Sequence, residues 1–149
     1  MIKTILIIAA VLVVNLASGQ GASSTETSDA SNIYFQALKI YTENKLKGCA
    51  CLLVEADEII TKKLPGKVGT CDIKYVDLAE ITTLLEKESP LRIIRIFPIR
   101  FNRGEFYVVI IPFNVEKEGN DYQYANTGGH NIFFSYDSNS KSFQFLRID

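Results

Sequence analysis

The chain has no tryptophan, one histidine, one methionine, four prolines and three cysteines. Each scarcity removes a class of chemistry. A single histidine, His130, leaves no room for a His-rich metal site or a His-x-x-x-His zinc helix. No Gly-x-Ser-x-Gly, Gly-x-Gly-x-x-Gly or Cys-x-x-Cys is present, so no nucleophile elbow, dinucleotide loop or redox dithiol is written locally, and no cofactor is implied. Charge of one sign is also missing. Sixteen Lys and Arg face seventeen Asp and Glu, with Lys62-Lys63 the only adjacent basic pair. Tracking a phosphate backbone needs clustered cations, so nucleic acid is not an expected partner.

Long apolar runs are missing too, apart from the start. Lys3 precedes the apolar stretch Ile5 to Leu16, and Ala17, Ser18, Gly19 and Gln20 follow. Charged, apolar, then small residues is the order of a signal peptide, with a cut expected ahead of Gln20. The run is too short for the roughly 20 residues of a membrane-spanning helix. The sequence therefore divides into a signal peptide at 1–19, a small polar flexible leader at 20–30 and one α+β domain at 31–149. The expected location is secreted or periplasmic, with no stable membrane insertion once the leader is gone.

Cys49, Cys51 and Cys71 are odd in number, so at least one thiol stays unpaired within the chain. Three buried thiols are the plainer reading. If a bridge forms, Cys71 is the expected partner of Cys49 or Cys51, because two strand residues two apart lie near the upper limit for a disulfide.

The first helix is expected over 32–47, capped by Ser31 and stopped by Gly48, with Ile33, Ala37, Ile40, Tyr41 and Asn44 on one stripe. Short extended pieces follow, Cys49 to Glu55 and Cys71 to Val76. Asp77 and Glu80 form a capping box, with Val76 and Ile81 as its staple, for a helix over 78–88 carrying Leu78, Ile81, Leu84 and Leu85 inward. The second half reads as sheet. Leu91 to Phe101 and Phe106 to Phe113 form one hairpin; Ile132 to Tyr136 and Phe143 to Ile148 form another. Pro98 and Pro112 call for bulges or edge positions. Glu116 to Gly129 reads as a polar connection outside the core. Together these give an N-terminal helix packed on a curved antiparallel sheet, an order compatible with a cystatin-like or NTF2-like cone, or with a barrel-like sheet plugged by the helix.

What is abundant is aromatic: seven Tyr and nine Phe. Tyr122 and Tyr124 stand in the polar connection, just before Gly128, Gly129 and His130. Tyrosine offers a flat apolar surface and a hydroxyl at low entropic cost. These five residues are the candidate binding surface. Arg92, Arg95, Arg100 and Arg103 punctuate the first hairpin, with Arg92 and Arg100 expected on one strand face and Arg95 on the other. Glu55 and Asp57 would share a strand face and are candidates for paired-carboxylate chemistry. The leading functional expectation is a non-catalytic binding domain for a protein, glycan or small ligand. The alternatives are a small pocket enzyme using His130 with a nearby carboxylate, and a structural or inhibitory surface protein. Neither oligomeric state nor partner identity is legible.

Overall fold

The structure is a computed structural model and describes residues 32–149. The signal peptide and leader expected over 1–30, and Ser31, lie outside these residues.

Helix α1 spans Ile33–Lys45. Its cap is Asn32, whose Oδ1 accepts from the N–H groups of Tyr34 (3.1 Å) and Phe35 (3.3 Å). Satisfying two otherwise unpaired donors of the first turn fixes where the helix begins. The buried stripe is Ile33, Ala37, Leu38, Tyr41 and Thr42, rotated from the expected one, which included the exposed Asn44. The helix ends at Lys45, short of the expected 47. Gly48 adopts φ +70° in the turn beyond it.

Among the described residues nine strands form one sheet. They are β1 (Cys51–Glu55), β2 (Lys67–Val68), β3 (Cys71–Val76), β4 (Leu91–Ile96), β5 (Arg100–Asn102), β6 (Glu105–Glu118), β7 (Asp121–Asn126), β8 (His130–Asp137) and β9 (Ser142–Ile148). The main order is β2-β3-β1-β4-β6-β8-β9, with β5 and β7 also paired to β6. Strand β1 runs parallel to both β3 and β4, and the remaining pairs are antiparallel. Parallel neighbours require a crossover. Between β3 and β4 helix α2, Leu78–Leu85, makes it.

This overturns the expected curved antiparallel sheet and its cone. The sheet is mixed, open and largely flat, and its outer members β2 and β9 lie at opposite ends of the strand order. The reason lies in the packing. A cone wraps one helix, whereas here each face has its own. Helix α1 covers a core containing Leu52, Val54, Ile94, Val108, Ile110, Ile132 and Phe134. Helix α2 covers a smaller one of Val76, Ile81, Leu85, Leu91, Ile93 and Val115. Successive strand residues thus feed opposite layers, which explains why Ile93 and Ile94 are both buried.

Strand β6 is the spine. One side pairs with β5 and then β4, and the other with β8 and then β7. The prolines mark the joints. Pro98 splits the expected single strand 91–101 into β4 and β5. Pro112 sits within β6 opposite Ile94, after the last β8 pair at Ile110 and before the first β7 pair at Phe113. Its carbonyl accepts from the N–H and hydroxyl of Thr127 (3.0 and 3.1 Å). The missing N–H therefore falls where the neighbouring chain passes from one strand to the next.

The segment read as a polar connection is another correction. Strand β6 continues to Glu118, the chain turns at Gly119 (φ +64°) and Asn120, and β7 returns as a strand. Its period-2 signal was Tyr122 and Tyr124, half-buried between exposed neighbours.

Asp77 caps α2, its Oδ1 accepting from the Glu80 N–H at 2.8 Å. The Glu80 carboxylate lies 3.7 Å from Lys74 Nζ. Val76 and Ile81 share the α2 core, as a staple requires. The helix stops at Leu85, and Leu78, expected inward, is exposed. Asp77→Ala is expected to lower the unfolding free energy by about 1 kcal/mol. Urea denaturation of the variant checks this, and an unchanged midpoint would contradict the cap.

The cysteines also depart from three buried thiols. Cys49 and Cys71 form a disulfide with Cα atoms 5.0 Å apart, and Cys51 is free and exposed.

Candidate binding face

The two sides of β6 are covered unequally. Val108 and Ile110, which face α1, are fully buried, while Tyr107, Val109, Ile111 and Phe113, which face the α2 layer, are half-buried. The cause is length. Helix α2 has eight residues and reaches β3, β1, β4, the Val115 end of β6 and Tyr122 of β7, but neither β8 nor β9. The α2-side face over β6, β8 and β9 is left open.

Two similar clusters finish that face. In the first, Arg95 on β4 grips Glu55 on β1 with both branches, Nε to Oε2 at 2.5 Å and Nη2 to Oε1 at 2.9 Å. Its guanidinium carbon lies 5.2 Å from the Phe113 ring centre and 5.4 Å from that of Tyr124. The hydrogen bonds that Arg95 donates to Glu55 hold its pKa up. Burial pushes the Tyr124 hydroxyl up, and the Glu55 charge adds to it. In the second cluster, Arg147 on β9 holds Glu105 with Nη1 and Nη2 at 2.8 and 2.9 Å. The same guanidinium lies 3.8 Å from the Phe133 ring centre, and Phe133 stacks on Tyr107 at 5.3 Å. The Arg147 hydrogen bonds hold the Glu105 carboxyl below its ordinary range. Planar guanidinium suits both roles, a bidentate carboxylate grip and a stack on a ring. Val109 and Ile111 form the apolar strip on the spine.

The sequence candidates are distributed as follows. Tyr124 belongs to the first cluster. Tyr122 packs against the α2 core, with its hydroxyl 2.7 Å from Thr82 Oγ1. Gly128 and Gly129 form the bend from β7 to β8. Gly128 takes φ +119°, and a Cβ at Gly129 would lie 3.4 Å from Ile111 Cγ1, so the bend sits close beside the open face. His130 is on the opposite side, under α1. Its ring centre is 5.8 Å from that of Tyr41, and its Nδ1 is 3.1 Å from the Asp149 main-chain oxygen. Arg100 pairs across from Tyr107 and so shares the face of Arg95, not that of Arg92. The break at Phe97 to Ile99 resets the alternation that sequence parity assumes.

Glu55 and Asp57 do not act as a pair. Glu55 is held by Arg95, and Asp57 Oδ1 accepts from the N–H groups of Ile59 and Ile60, both at 2.8 Å. Among the described residues no three His, Cys, Asp or Glu side chains converge on a metal position, and no helix is long and apolar enough to cross a membrane. Glu105, Phe113 and Arg147 were missed from the sequence. Their only local signal is strand parity on β6 and β9.

Compared with known proteins, the chain matches no family model, no curated protein and no solved structure. The fold itself defines the class: an α+β domain with a mixed, open, largely flat sheet.

Proposed function

We propose that this chain is an exported, non-catalytic binding domain that holds a protein partner on the open face of its sheet. The observation that carries the reading is the half-burial of Tyr107, Val109, Ile111 and Phe113 beside two arginines stacked on aromatic rings. Aromatic residues and arginine are the groups that concentrate binding energy at protein interfaces. A flat sheet suits a macromolecule better than a small ligand, which uses a concave site. Export is supported by the leader's residue order, and an oxidising compartment would preserve the Cys49–Cys71 bridge.

The test is the affinity of a purified partner for the mature chain and for Tyr107→Ala combined with Tyr124→Ala. The expected loss is about 2 kcal/mol or more of binding. Unchanged affinity would reject this face. Equal losses of binding and of unfolding free energy would assign the two rings to structure alone.

A further inference from the structure

A second feature lies away from that face, where α1 ends. A cleft of about 360 Å³ opens between the residues following α1 and the first residues of β1 and β4. Leu52 and Leu53 are part of its wall, with Leu46 beside them, and Lys45, Lys47 and Arg92 stand around it. No carboxylate lines this cleft, and none of the three cations is in an ion pair among the described residues. Lys45 answers the partial negative charge of the carbonyls ending α1. Lys47 and Arg92 come from different segments and are not needed for that. Arg92 lies near the hydroxyl of buried Tyr41, whose upward pKa shift its charge partly offsets.

Cations without acidic neighbours beside apolar side chains are complementary to one ligand chemistry. We infer that this cleft binds an anionic amphiphile, a carboxylate or phosphate monoester carrying a short apolar chain. The headgroup meets Lys47 and Arg92, and the chain lies against Leu46 and Leu52 on the α1 side. At roughly 30 Å³ per small group, the volume accommodates about ten chain carbons. The site is independent of the partner face, which lies across the α2 side of β6, β8 and β9.

The experiment is a nitrogen–proton NMR titration of the mature chain with decanoate, decyl phosphate, decanol and inorganic phosphate, each below its micelle threshold. Decanoate, decyl phosphate or both should saturate, with the largest shifts confined to residues 45–53 and 92. Decanol and inorganic phosphate should each bind at least tenfold more weakly than the better amphiphile. Binding by only one of the two anionic amphiphiles identifies the headgroup. Lys47→Ser with Arg92→Ser should weaken the better amphiphile at least tenfold, while Lys117→Ser, on the far end of β6, leaves it unchanged. Alkylation of Cys51, which lines the same cleft, should slow when the amphiphile is bound and gives a second readout. Decanol binding as tightly as decanoate, shifts outside the cleft, unchanged affinity in the double variant, or no saturable binding by either anionic amphiphile would overturn the site.

Discussion

Tyr41→Asp is expected to lower the unfolding free energy by about 4 kcal/mol, the range in which loss of a large buried ring and burial of an unpaired carboxylate combine. Tyr41 is 1% exposed and belongs to the α1 core with Val108 and Ile110 of the spine strand. Its hydroxyl is the polar exception, since burial pushes it up while the Arg92 charge partly offsets that. An aspartate at this position is too short to reach Arg92 by the tyrosine's path and leaves a void where the ring was. Tyr41→Phe keeps the ring and should cost at most about 1 kcal/mol, the upper end for losing one hydroxyl's polar interactions. Guanidinium denaturation of both variants gives the comparison. A loss below about 0.5 kcal/mol in Tyr41→Asp would mean that α1 does not pack on this sheet as described.

Reduction of the protein should cost about 3 kcal/mol of stability through loss of the Cys49–Cys71 link. The two cysteines are 22 residues apart, so the bridge closes a loop that includes β1, the turn after it and β2. Closing that loop restricts the unfolded chain. In the folded chain it ties the residues after α1 to the start of β3. The same loss is expected in Cys49→Ser combined with Cys71→Ser without any reductant. Cys51→Ser should keep the wild-type midpoint, because Cys51 is free and exposed. Unfolding curves of the wild type that coincide with and without reductant would contradict the pairing.

What the sequence made readable was what is local. Asp77, three residues before Glu80 and between Val76 and Ile81, announces the start of α2 within six positions. The β8–β9 hairpin follows from two aromatic runs around a polar turn. The parallel pairing of β1 with β3 and β4 is different. Nothing within Cys51 to Glu55 names its neighbours, and only the α2 crossover requires strands that run the same way. The curved cone followed from treating the sheet as hairpins around a single helix. Strand β7 was hidden by its composition, since Gln123, Ala125 and Asn126 are polar or small and exposed, leaving two tyrosines to carry the alternation.

The candidate binding face was readable in part for the same reason. Tyr124 stood out as an aromatic in a polar segment, and the arginines of β4 and β5 stood out as charges in an apolar one. Their partners did not. Arg95 and Glu55 are 40 residues apart, and Arg147 and Glu105 are 42 apart. The stack of Arg147 on Phe133 depends on the register between β8 and β9, which shifts between Phe133 and Phe134. The Arg100 side was misassigned because Pro98 interrupts the strand, and parity does not carry across a break. Two carboxylates spaced for chemistry, Glu55 and Asp57, turned out to serve an arginine and a turn.

The central claim is that the partner covers the α2-side face of β6, β8 and β9. Hydroxyl-radical footprinting of the protein, free and bound to its purified partner, tests it directly. The account predicts that oxidation of Tyr107, Phe133 and Tyr124 falls several-fold on binding, while that of Phe101 and Tyr136, exposed elsewhere on the sheet, does not change. Protection of Phe101 and Tyr136 with Tyr107, Phe133 and Tyr124 unaffected would contradict it.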